Sequence, residues 1–153
     1  MLTEQPTFPR KIIDVLERNP IVTINRSPSP LVRALCLALA AVLVFQLFYV
    51  GAKPEAAGLI SPPWDKLAHL GIYSTITALL WIGTAGRMPL AVLMTVVTIG
   101  ALDELHQAYL PGRSADAWDF LMDVIAAAGT AFAMVLLYGA GRPRRRRAET
   151  WSS

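Results

Sequence analysis

Apolar residues are gathered into four long runs, and three of those runs turn polar at one end. The first run spans Leu31 to Val50, the second about Leu67 to Gly86, the third Met88 to about Tyr109, and the fourth about Trp118 to Gly139. Each is long enough, or nearly so, to cross a hydrocarbon core, which takes about 20 helical residues. The expected fold is therefore all-α: an integral membrane four-helix bundle. Only the first run is cleanly apolar, carrying Arg33 near its start and Gln46 near its end. About thirty residues precede it, too many for the n-region of a cleaved leader, so it reads as a retained transmembrane helix.

The punctuation between runs agrees with this. Gly86-Arg87-Met88-Pro89 reads as a tight turn with Pro89 in the first turn of the third helix, where a missing N–H costs little. Pro111-Gly112 is a turn dipeptide before the fourth. Short connections make the second, third and fourth helices antiparallel neighbours. The chain divides into an N-terminal segment 1–30, a membrane domain 31–139 and a basic tail 140–153.

Composition narrows the class. Of the 153 residues 54% are hydrophobic and only 16% charged, against roughly 25% charged in a soluble domain. With a mean hydropathy of +0.46, these figures exclude a disordered chain and an ordinary soluble enzyme. Cys36 stands alone, which excludes an intramolecular disulfide and a cysteine-rich metal site.

The net charge of +3 acquires meaning from its distribution. Arg10, Lys11, Arg18, Arg26, Arg33, Arg87, Arg142 and Arg144 to Arg147 fall on one side of the four runs. Only Lys53, Lys66 and Arg113 fall on the other. The positive-inside rule then places both termini in the cytoplasm, with the 51–66 and 110–117 connections facing outward. Phe8 to Asn19 reads either as a short interfacial helix or as a weakly ordered tail. The arginine run near the C-terminus reads as a topology determinant or an anionic-lipid contact. Without aromatic interleaving or a binding module it does not indicate nucleic acid.

Six acidic residues, both histidines and Arg113 cluster at the outward ends of three spans. Asp65 and His69 are four apart and share a helical face, which Tyr73 continues one turn deeper. Asp103, His106 and Gln107 share another face, with Glu104 about 100° around. Asp116, Asp119 and Asp123 form a stripe, and Arg113 precedes them in the turn. An acid at the bilayer centre costs about 2.5–3.5 kcal/mol, less near the interface, and such groups face the bundle interior. Structural roles are open to each singly: Lys66 snorkelling, Asp65 capping the second helix, Arg113 neutralising Asp116 or Asp119, and Asp103 pairing with His106. Together, at one depth on three helices, they point to an outward-opening pocket.

These segments also resemble a family. Asp65-Lys66-Leu67-Ala68-His69 followed by Tyr73 looks like the opening motif of VanZ-like membrane proteins. Asp103-Glu104-Leu105-His106-Gln107, then Pro111-Gly112-Arg113-Ser114 and Asp119-x-x-x-Asp123, look like its second half. The resemblance covers roughly residues 60 to 135. Asp123 stands where the family often has Asn, and Ala126 where a glycine is expected, with Gly129 three further on. The resemblance implies a small multi-helix fold in the bacterial cytoplasmic membrane and, for the founding member, reduced susceptibility to teicoplanin-type glycopeptides. It supplies no reaction.

Two functions are expected from these residues. In the first, a lipid-linked or phosphate-bearing head group is bound or modified at the outer leaflet. His69, His106, Asp103 and Glu104 are then the catalytic candidates, and Asp65, Lys66, Tyr73, Gln107, Arg113, Asp119 and Asp123 the ligand-binding ones. Arg113 would hold the phosphate and a histidine would exchange protons. No cofactor is evident, although two histidines with several carboxylates would suffice for a divalent cation bridging to phosphate. In the second, the chain is a non-catalytic accessory subunit of a membrane complex, its small residues Ala126 to Ala131 suiting close helix packing. An ion carrier is disfavoured, because the ionisable groups reach only partway across.

Overall fold

The computed structural model describes residues 27–138; the expected interfacial helix and the basic tail lie outside them. Four long helices follow in order: α1 (Pro30–Gly51), α2 (Trp64–Gly83), α3 (Pro89–Ala108) and α4 (Ala117–Tyr138), with a 3-10 turn at Pro54–Ala56 and no strand among the described residues. Helices α1, α3 and α4 are long and apolar enough to cross a membrane. Helix α2 is 20 residues long, but its polar first turns leave it short of that measure. The molecule is an all-helical bundle compatible with a membrane.

Local chemistry sets the helix ends. Ser29 opens α1, its hydroxyl accepting from the Val32 N–H at 3.3 Å, with Pro30 at the first helical position. The second helix begins and ends earlier than its apolar run. It closes at Gly83 because Ala85 (φ 55°) and Gly86 (φ 65°) turn left-handed. The Gly86 N–H then returns to the Trp81 carbonyl and the Ala85 N–H to the Ile82 carbonyl, a Schellman closure. Asp65 does not cap α2, whose capping position is Pro63 without a side-chain bond. Asp65 instead sits in the first turn, accepting from the Lys66 N–H at 2.9 Å.

The one helix that falls short of the spanning measure takes the centre of the packing. Helix α2 touches each of the other three, most extensively α4, whereas α1 buries only Ala40 of its 22 residues. Leu31, Leu35, Leu39, Val42, Phe45 and Tyr49 of α1 all face outward, an apolar surface far larger than water tolerates on a monomer. The outward-facing hydroxyls of Thr75 and Thr98 are turned back onto the helix carbonyls of Gly71 and Met94, each at 2.8 Å. A polar group facing hydrocarbon must be satisfied within its own helix in this way.

Two close approaches hold the bundle. A Cβ at Gly83 would lie 2.6 Å from Leu37, so α1 meets the end of α2 there, and Arg33 Nε donates to the Gly83 carbonyl at 3.0 Å. That places a cation at the negative end of a helix dipole. A Cβ at Gly100 would lie 2.9 Å from an Asp123 carboxylate oxygen, so α3 admits Asp123 only because residue 100 has no side chain. Below this point Tyr73, Ile76, Val96, Ala126 and Ala127 form the main apolar core, with Ala126 filling its place without a glycine.

Candidate functional site

The starts of α2 and α4 and the end of α3 meet at one end of the bundle, and their polar residues sort into two tiers. The upper tier is an ion-pair cluster around Lys66. Its ammonium lies 3.3 Å from Asp65, 3.1 Å from Asp116 and 3.0 Å from Asp119. Lys66 therefore does not simply snorkel, and it, not Arg113, neutralises Asp116 and Asp119.

Asp116 ties the tiers together. Its carboxylate accepts from the Trp118 N–H at 2.8 Å, capping α4, and its own N–H donates to Glu104 Oε2 at 2.7 Å. The Trp118 N–H and then the Lys66 ammonium hold the Asp116 carboxyl below its ordinary value of 3.8.

One turn deeper, His69 Nδ1 lies 2.9 Å from Asp123 Oδ1. The imidazole stacks on Tyr73 at a centroid distance of 5.9 Å, and Tyr73 donates its O–H to Asp103 Oδ2 at 3.3 Å. Gln107 Nε2, one turn along α3, donates to the same oxygen at 3.2 Å. Asp123, Asp103 and Glu104 are 0%, 2% and 8% exposed. The lower tier thus buries three acids around one histidine. Among the described residues, Glu104 Oε1 and Asp123 Oδ2 have no hydrogen-bond partner, an uncommon state for buried carboxylate oxygens. His69, Glu104 and Asp123 each present a ligand-type atom within 4.8 Å of the other two, so these three could hold a metal ion.

Beside both tiers lies a cavity of about 580 Å³, within the usual range for ligand sites. Its walls differ in chemistry. Leu43, Leu47 and Val50 of α1, with Ile60 and Ile72, form an apolar side, whereas Asp65, His69, Asp103, Gln107, Arg113 and Asp119 form a polar one. Arg113 stands at the rim, where one guanidinium nitrogen donates to the Ala56 carbonyl at 2.8 Å. Among the described residues no carboxylate comes within ion-pair distance of it.

Ten of the eleven residues singled out from the sequence therefore meet at this end of the bundle in one connected arrangement. The exception is His106. Its ring packs against Phe48 of α1 at 5.4 Å, its Nδ1 is buried without a partner, and it does not line the cavity. A histidine three residues from Asp103 shares its face only loosely, and here it packs against Phe48, so the expected Asp103–His106 pair is replaced by Asp103 with Tyr73 and Gln107. One contributor, Gly100, lies outside the residues singled out from the sequence, and one contact of a residue already in the acidic stripe, Asp116, depends on packing between helices. Asp116 was visible as part of the acidic stripe, but its link to Glu104 was not. Gly100, at i−3 and i−7 from Asp103 and Gln107, sits on the polar face of α3, a spacing that marks it in retrospect.

Comparison with protein-family models, curated proteins and solved structures gives no match.

Proposed function

We propose that this chain is a VanZ-like protein of the bacterial cytoplasmic membrane whose cavity binds the phosphate-bearing head group of an amphiphile at the outer leaflet. The observation that carries the reading is the two-faced cavity: an apolar wall built from the exposed helix α1 opposite a polar wall ending in Arg113. An amphiphile needs both surfaces at once, its tail on leucine and valine and its head group on charge. Arg113 is the cation for the task, since Lys66 is committed to three carboxylates. A guanidinium offers several N–H donors in a fork that matches phosphate oxygens. The lysine and arginine distribution supports the orientation, with cytoplasmic termini and the cavity opening outward. His69 lines the cavity at its boundary with the lower tier and is the imidazole that a bound head group would meet.

Native mass spectrometry of the full chain in detergent, titrated with a polyprenyl phosphate and with the corresponding polyprenol, tests this. The phosphate form is expected to bind and the alcohol to bind at least tenfold more weakly. Arg113→Ala should lose that preference. Equal binding of alcohol and phosphate, or an unchanged preference in Arg113→Ala, overturns the reading. A tightly held protein partner with no amphiphile in the cavity would point instead to an accessory subunit.

A further inference from the structure

We propose that His69, Glu104 and Asp123 form a binding site for one first-row divalent cation of the Zn²⁺ class, held where the lower tier borders the cavity. The three residues come from three different helices, α2, α3 and α4, yet their ligand-type atoms converge within 4.8 Å. Ligands on a shared ion at 2.0–2.2 Å stand about 3–3.5 Å apart, so the widest separation needs a contraction of about 1.3–1.8 Å, within reach of side-chain rotation. The 2.9 Å separation of His69 Nδ1 and Asp123 Oδ1 already suits two ligands of one ion.

Independent observations point to a cation. Glu104 and Asp123 are more than nine-tenths buried, and each leaves one carboxylate oxygen without any partner. Asp103 adds a third buried acid beside them, and its own oxygen is taken up by Tyr73 and Gln107. Lys66 is engaged one turn above by Asp65, Asp116 and Asp119. Three buried carboxylates with one imidazole are a costly excess of negative charge in a low-dielectric setting. A divalent ion offsets two of those charges, and neutral imidazole with two carboxylates is a donor set for it. Imidazole nitrogen favours Zn²⁺ over Mn²⁺, Mg²⁺ and Ca²⁺, which suit oxygen ligands better. Three protein ligands leave a coordination position open, as in catalytic rather than structural sites. Gly100 gives Asp123 its place, and the Asp116 N–H orients Glu104 through Oε2, a supporting shell of the kind metal ligands need.

The inference deepens the amphiphile reading and takes the ion's role from it: an acidic pocket repels a phosphate, and a cation beside His69 reverses that. The test contains no lipid, so the two readings fail separately. The full chain is purified in detergent, stripped with chelator and dialysed against Zn²⁺, Mn²⁺ or Mg²⁺, and its metal content is measured. Wild-type protein should retain one Zn²⁺ per chain, with Mn²⁺ weaker and Mg²⁺ not retained. Glu104→Gln and Asp123→Asn should each weaken retention at least tenfold, while Glu55→Gln, an exposed acid outside the cluster, should not. Loading wild-type protein with Co²⁺ gives a readout that depends on no variant. An intensified visible absorption of low-coordinate nitrogen–oxygen ligation is expected, whereas the pale six-coordinate aquo spectrum overturns the proposal. No retained ion, equal retention of Mg²⁺, or retention unchanged in Glu104→Gln and Asp123→Asn overturns it as well, and leaves His69–Asp123 an ion-free buried pair.

Discussion

The two polar tiers stand one helical turn apart and obey different electrostatics. In the upper tier every carboxylate has a partner: Lys66 answers Asp65, Asp116 and Asp119, at side-chain exposures of 11–38% for the three acids. Water and counter-ions reach such groups, and arrangements of this kind contribute modestly to stability. In the lower tier Asp103, Glu104 and Asp123 are out of solvent and two of their oxygens have no partner at all. The same residue types therefore serve as fastening above and are left incompletely satisfied below. Burial alone does not distinguish them, since Asp119 above and Glu104 below are each 8% exposed; a cation partner does.

Three perturbations would break or sharpen this contrast. The largest effect is expected from Gly100→Val, which drives a branched side chain into the space of the Asp123 carboxylate. Overpacking of this kind costs about 1–3 kcal/mol, read as a lowered unfolding midpoint in detergent. A variant as stable as the wild type would show that Asp123 can move aside freely and that the lower tier is not rigidly placed.

A smaller effect of opposite sign is expected from Glu104→Gln in protein stripped of ions. The substitution removes one of three crowded buried charges and keeps an acceptor for the Asp116 N–H. Removing an uncompensated buried charge relieves its desolvation cost, here by about 1 kcal/mol. A loss of stability would mean that the carboxylate is satisfied without an ion and that the two tiers are alike.

The smallest effect belongs to the upper tier and appears in acid. The Asp116 carboxyl is held below its ordinary value, first by the Trp118 N–H and then by Lys66. A carboxyl lowered on folding contributes stability that is fully present above its unfolded value of 3.8 and is lost as pH falls through the folded one. Unfolding followed from pH 5 downward should show this loss in the wild type. It should be blunted in Asp116→Asn, which retains the cap but not the charge. The same acid dependence in both proteins would assign the acid sensitivity to other carboxylates.

Much of this architecture is legible in the chain because hydropathy and turn chemistry are local. The apolar runs announce four helices, and Pro89 marks a helix start where the structure has it. The period of 3.6 residues puts Asp65 with His69, and Asp119 with Asp123, on common faces. Ten candidate residues could be collected from spacing alone, because short connections force α2, α3 and α4 to be neighbours whose polar ends coincide.

Partner choice is another matter, because it depends on distances between helices that share no local sequence. Lys66 has Asp65 beside it in the chain, yet its two shortest ion pairs are to residues 50 and 53 positions away. His106 and His69 look equivalent on paper, and only the packing of α1 turns one to Phe48 and leaves the other on Asp123. The least apolar helix, α2, takes the centre of the bundle because its polar face can be satisfied only by the other helices, while α1 can be left to hydrocarbon. Sequence determined which groups lie at one depth; tertiary packing decided which of them are paired, which are shut away from water, and which carboxylate oxygens are left with nothing to bind.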